Sequence, residues 1–226
     1  MLVGKGLLTP AQEACLAMFA ELPDQEQFYL TGGTALAEFY LGHRLSWDLD
    51  LFTAQEPLIA PFAYQFEARA RQHGLEVSVV RRFATYVEFL VGQGGQGTRV
   101  DLALDSPFRF AEPVSTPSGV RVNSWRDLSV DKLLAYYGRA EPRDAVDLHF
   151  IMQHEPVDEL LALAGQKDGG FDLYWMAVAL NRAAGFPDEL HRWPVKVLLP
   201  FEPEAVKRQF LELALAIMSK TTGAPP

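Results

Sequence analysis

The chain has 226 residues, 49% of them hydrophobic, and a formal net charge of −9. That length buries one large core or two small ones. The acidic balance resists non-specific attraction to a nucleic-acid backbone without excluding a local basic groove. A single cysteine, Cys15, excludes an intramolecular disulfide and a Cys-based zinc site. No apolar run reaches transmembrane length, and the N-terminal MLVGKGLLTPAQEACLAMF lacks a basic–apolar–cleavage pattern, so the expected setting is the cytoplasm, with no membrane partner.

Thr9-Pro10-Ala11-Gln12 opens the first helix: Thr9 caps, Pro10 suits the first helical position and Gln12 completes a capping box. That helix is expected to end near Leu22, ahead of Pro23. Residues 28–31 read as a short apolar strand broken by Gly32-Gly33, and 34–41 as a helix. A second strand covers 49–52, and a helix 61–73. Three strands are expected over 76–81, 85–91 and 99–104, with GQGGQG as a hairpin tip between the last two. From Arg126 the pattern turns helical, over 127–139, 144–153, 158–164, 171–184 and 203–219, and the closing TTGAPP reads as a disordered tail. The expected organisation is α+β: a mixed sheet with flanking helices over residues 1–125, then a helical region over 126–226 packed on it around a shared cleft.

The chemistry concentrates in FYLTGGTALAEFYLGHRLSWDLDLFT. Asp48 and Asp50 stand at i and i+2, so on a strand both carboxylates leave one face while Leu49 and Leu51 enter the core. Two such anions repel, and a divalent cation with hard oxygen ligands resolves the repulsion. Asp101, mid-strand in RVDLA, supplies a third carboxylate if its strand lies beside the first. Three carboxylates suit two ions about 3.5–4 Å apart, the arrangement that clamps a phosphoryl transfer. A strand, two glycines and a helix place free backbone N–H groups at Gly32, Gly33 and Thr34, which attract phosphate, and Thr34 adds a hydroxyl. Arg44 either steadies this loop or touches phosphate. In SVDKLLAYYGRAEPRDAVDL, Lys132, Tyr136 and Arg139 share one helix face at i, i+4 and i+7. Lys132 and Arg139 either neutralise a triphosphate across the cleft or form a solvated face. Asp144 and Asp147 follow at i and i+3, as ligand contacts or as acidic residues near a helix start, with Arg143 able to pair with either. His43, His149 and His154 show no mutual metal-ligand spacing.

The pattern GGTAL…HRLSWDLDLF, a strand aspartate, and then DKLLAYYGRAEPRDAVDL closely resembles the AbiEii/AbiGii toxin family of the DNA-polymerase-β-like nucleotidyltransferase superfamily, over residues 28–150. The resemblance implies a nucleotidyltransferase-like fold and an NTP substrate such as ATP. Gly32, Gly33 and Thr34 would hold its phosphates, Asp48 and Asp50 would bind Mg²⁺ (two ions, or Mn²⁺), and Lys132 would contact the nucleotide. Asp101 would be the third carboxylate, with the general base at Asp101 or at Asp144/Asp147. It also implies a cognate antitoxin and, as acceptor, tRNA or other RNA; a protein or a small molecule stays open. A phosphatase reading of DLDLFT fails because Phe52 stands where an aspartyl-phosphate motif needs Thr or Val. The remaining alternative is a non-catalytic nucleotide- or partner-binding protein of the same fold.

Overall fold

The structure, a computed structural model, describes residues 1–222 and divides into two compact units, Met1–Trp125 and one beginning at Arg126. In the first unit, α1 (Pro10–Phe19) starts with the capping box read from the sequence: Gln12 N–H donates to Thr9 Oγ1 at 3.2 Å, and Thr9 N–H donates to Gln12 Oε1 at 2.9 Å. The Gln12 amide also donates to the Ser46 carbonyl at 3.1 Å, tying this helix start to the loop before the acidic strand.

Seven strands form one mixed sheet: β1 (Tyr29–Thr31), β2 (Asp48–Thr53), β3 (Glu76–Arg82), β4 (Tyr86–Gln93), β5 (Gln96–Leu104), β6 (Val114–Ser115) and β7 (Arg121–Val122). Their order is β3-β4-β5-β2-β1-β7-β6, with β2/β5 and β1/β7 parallel and the other pairs antiparallel. β4 and β5 form a hairpin whose turn, Gly94-Gly95, has φ of 59° and 82°, the left-handed values a two-residue hairpin turn needs. β6 and β7 were not expected; two residues each are too few for a period to show.

Alternation decides which face each strand buries. Leu49, Leu51, Val87, Phe89, Val100 and Leu102 are fully buried on one face, on the side of α1 and α3 (Glu56–Gln72). Phe28 lies 4.1 Å centroid to centroid from Phe62, and Phe66 stacks on Phe89 at 5.0 Å. Each such ring contributes roughly 1.5–3 kcal/mol through burial, so this layer fixes the register that sets Asp48 and Asp50 on the opposite face. α3 begins earlier than its sequence suggested: Pro57 takes the first turn, where a missing N–H costs nothing, and Pro61 is carried inside.

The helix after β1 also differs from expectation. Gly32–Ala35 form one α-turn (α2), and Leu36–Leu41 continue as a π-helix. Glu38 on this segment is 4% exposed and accepts from the N–H groups of Gly6 (3.0 Å) and Leu7 (2.6 Å), which pins the N-terminal stretch of chain onto it.

The second unit is helical: α4 (Trp125–Arg139, beginning at the boundary), α5 (Pro142–Ile151), α6 (Val157–Lys167), α7 (Leu173–Asn181) and α8 (Pro203–Thr222). Leu133, Tyr136, Val146, Ile151, Met176, Leu180 and Phe210 make its core, with the Tyr136 and Phe210 rings edge to face at 5.2 Å. The WPVKVLLPF segment is split: Trp193 and Phe201 are buried while Leu198 and Leu199 are exposed. Of the expected tail TTGAPP, Thr221 and Thr222 belong to α8, and 223–226 lie outside the described residues.

Candidate active site

β2 alternates half-exposed Asp48, Asp50 and Phe52 with buried Leu49, Leu51 and Thr53. Its register sets Asp50 opposite Thr31 on β1 and opposite Asp101 on β5, and Asp48 opposite Arg99. Asp48 and Asp50 therefore leave one face, as the i, i+2 spacing predicts, and the pairing of β5 with β2 sets Asp101 on that face too.

The glycine turn lies directly against this face. Gly32 has φ +71°, and a Cβ there would stand 1.9 Å from Asp50 Oδ2. Only glycine fits both the left-handed backbone and the carboxylate packed upon it. A Cβ at Gly33 would meet Arg44 Nη2 at 2.5 Å and Ser46 Oγ at 2.7 Å, so a buried guanidinium and a hydroxyl line the other side of the turn. Thr34 is buried and its hydroxyl donates to the Asp48 carbonyl. The sequence suggested that hydroxyl for phosphate; here it fastens the glycine turn to the acidic strand, while the turn's backbone N–H groups remain the groups suited to an anion.

Charges on this face are mutually engaged. Arg99 Nη2 donates to Asp48 Oδ2 at 2.8 Å, and Arg99 Nε lies 3.5 Å from Asp101 Oδ2. The Tyr86 hydroxyl is 3.1 Å from Asp101 Oδ1 and 3.2 Å from Glu88 Oε2, one proton between two carboxylates. Arg81 Nε sits 3.4 Å from the same Glu88 oxygen. Burial pushes the Asp101 carboxyl above its ordinary range, with Glu88 and Asp48 adding to the rise against the pull of Arg99 and Tyr86. Burial, then Asp101 and Glu88, raises the Tyr86 phenol. Burial opposes the charge on Arg99, but Asp101, Asp48 and Asp50 outweigh it and hold the guanidinium above its usual value.

Asp48 and Asp50 offer hard oxygens on one face beside the glycine turn, a donor set that fits a divalent ion. Asp101 is oriented instead to Tyr86 and Arg99. Among the described residues no group of three or more His, Cys, Asp or Glu side chains is disposed to hold a metal. The register expected for three carboxylates is present; their convergence is not, because Arg99 stands among them.

The second unit carries its own paired charges. Lys132 on α4 and Asp147 on α5 form an ion pair at 2.8 Å, with side chains 8% and 0% exposed. Arg139 grips Asp144 with two donors, each at 2.6 Å, and that bond holds the guanidinium above its usual value. Arg143 pairs with Glu141 at 2.9 Å rather than with Asp144 or Asp147. Lys167 on α6 closes a further link to Asp127 (3.2 Å) and Asp131 (2.5 Å).

Sequence reasoning missed several polar groups. Arg99 was legible, since it alternates in phase with Asp101; so were Tyr86 and Glu88 on β4. A brace beneath β1 was not, because its members come from distant segments. Arg109 lies 3.7 Å over the Tyr29 ring and donates to Asn123 Oδ1 at 2.9 Å. The Asn123 amide donates to Thr31 Oγ1 at 3.1 Å, and the Tyr29 hydroxyl donates to Asp105. This network holds the residue that precedes Gly32.

A glycine turn packed on paired strand carboxylates, in a mixed sheet followed by a helical unit, defines the nucleotidyltransferase class. The profile of the "Nucleotidyl transferase AbiEii toxin, Type IV TA system" family matches residues 15–212, and the chain belongs to that family of nucleotidyltransferase toxins. Two solved structures share the fold. A putative nucleotidyltransferase from H. pylori is 17% identical with a TM-score of 0.58, covering 95% of this chain and 94% of that one. The nucleotidyltransferase toxin MenT4 from Mycobacterium tuberculosis is 17% identical with a TM-score of 0.58, covering 91% and 82%. Comparison with curated protein sequences returns no match. Among the described residues no helix is long and apolar enough to cross a membrane.

Proposed function

We propose that this toxin transfers a nucleoside monophosphate from an NTP to an acceptor, RNA or tRNA on the strength of the family resemblance with a protein or a small molecule as the other candidates, in a Mg²⁺-dependent reaction countered by a cognate antitoxin. The observation that carries the reading is the contact of the Asp50 carboxylate with the Gly32 turn. It supports the reading because backbone N–H groups suited to an anion then lie beside two carboxylates suited to a cation, as a metal–triphosphate would require.

In this reading the N–H groups of Gly32, Gly33 and Thr34, with the Arg44 guanidinium, bind and orient the phosphates. Asp48 and Asp50 would hold Mg²⁺ or Mn²⁺, with Asp101 as the third carboxylate of the centre. The bound metal supplies Lewis-acid polarisation of the phosphoryl oxygens. The acceptor oxygen attacks the α-phosphorus, the bond from that phosphorus to the bridging oxygen breaks, and pyrophosphate leaves. In this reading Asp101 takes the acceptor proton. Support for nucleotide contact by Lys132, Arg139, Asp144 and Asp147 comes from the family motif. Within their own unit, Asp147 and Asp144 fix the two cations.

The test is incubation with each α-labelled NTP, Mg²⁺ and total cellular RNA. Label is expected on small RNA, with pyrophosphate as co-product, and is expected to vanish in Asp48→Ala and Asp50→Ala. Normal turnover in both variants refutes the assignment. Nucleotide binding with no product in any condition favours a non-catalytic binding protein, a reading to which the internal pairing of Asp48 by Arg99 lends some support.

A further inference from the structure

We infer that Arg99 is the internal counter-cation of the carboxylate centre and competes directly with a divalent ion for Asp48. The inference rests on the metal reading above and adds to it a residue to which that reading gave no role.

Three observations carry it. First, the register sets Arg99 beside Asp48 and Asp101 beside Asp50, so the guanidinium emerges at the level of the acidic pair. Its Nη2 engages Asp48 at 2.8 Å while Nε reaches toward Asp101 at 3.5 Å, so one cation spans two strands. Three aspartates and Glu88 on adjacent strands repel one another, and this guanidinium lowers that repulsion where no ion is bound.

Second, the contact is a compromise. Arg99 Nε is buried and makes no hydrogen bond of normal geometry among the described residues. Arg139, by contrast, spends two donors on Asp144.

Third, the pair is free to open. The Arg99 and Asp48 side chains are 39% and 33% exposed, against 8% and 0% for Lys132 and Asp147. Solvent can receive the Arg99 head when an ion takes the Asp48 oxygen, at the modest cost typical of a partly exposed ion pair.

The readout is metal affinity, measured by Mn²⁺ titration of the whole chain without nucleotide in wild type, Arg99→Met and Arg81→Met. Methionine keeps the apolar stem and removes the charge. Arg81→Met controls for loss of a nearby positive charge, since Arg81 touches Glu88 and neither Asp48 nor Asp101. Arg99→Met is expected to bind Mn²⁺ about threefold to tenfold tighter than wild type, the range set by a partly screened pair. It is also expected to melt lower in EDTA and to regain more on adding Mn²⁺. Arg81→Met is expected to match wild type. Equal or weaker binding in Arg99→Met overturns the inference and leaves the metal reading standing. Absence of Mn²⁺ binding in all three proteins overturns both.

Discussion

Gly32 is the position where backbone conformation and chemistry meet, and Gly32→Ala separates the two. The φ of +71° alone costs an L-residue roughly 1–2 kcal/mol. The new Cβ would also stand 1.9 Å from Asp50 Oδ2, where ordinary contact begins near 3.4 Å, so the carboxylate must retreat by about 1.5 Å. A half-exposed side chain can make that movement at small cost in stability, but a displacement of this size in a group that positions substrate costs on the order of 100-fold in rate. Gly119→Ala is the control: its φ is +88° and no atom lies within 4 Å of the place its new methyl would occupy, so it carries the strain without the collision. Urea unfolding followed by circular dichroism is expected to show similar losses, about 1–3 kcal/mol, for both variants. Initial rates of label transfer are expected to fall about 100-fold or more in Gly32→Ala and to stay within twofold in Gly119→Ala. If Gly32→Ala keeps more than half the wild-type rate, the apposition of turn and carboxylate has no catalytic meaning.

Lys132→Met removes the cation paired with a fully buried Asp147 carboxylate and should cost about 3–5 kcal/mol in chemical denaturation, whereas Lys132→Met/Asp147→Leu should recover most of it. The recovered double variant should remain inactive; a folded, active one would reduce Lys132 to a structural residue. Thr34→Val deletes the bond to the Asp48 carbonyl and should lower stability by about 1 kcal/mol, with a rise in KM for NTP as the turn loosens. An unchanged KM would show that the tether does not shape the cradle. Cys15 is fully buried and its thiol is pushed up to about 12 by that burial, so native protein should not react with a thiol reagent at pH 8 until urea unfolds it. Prompt stoichiometric labelling would contradict the packing of α1.

The legible features are those with a local physical signature. DLDLFT alternates with period two, and that fixed both the burial of Leu49 and Leu51 and the shared face of Asp48 and Asp50. The Thr9/Gln12 capping box closes within four residues and formed as read. Pairing across the sheet is non-local, and there the reading thinned. Arg99 finds Asp48 only because β5 lies parallel to β2, and Thr34 spends its hydroxyl on a carbonyl fourteen residues away. Arg143 could have paired with Asp144 or Asp147, but Arg139 and Lys132 on α4 take them, a pairing between helices that spacing along one helix does not announce. The π-helix at Leu36–Leu41 and the brace of Tyr29, Arg109 and Asn123 depend on tertiary contacts that no period announces.

The most direct measurement is a crystal structure with a non-hydrolysable NTP analogue and Mn²⁺, the ion located by its anomalous signal. A manganese peak coordinated by Asp48 and Asp50, with triphosphate oxygens on the amides of Gly32 and Gly33, is the predicted result. A peak away from β2, or phosphates bound elsewhere with the glycine turn bare, would contradict the account at its root.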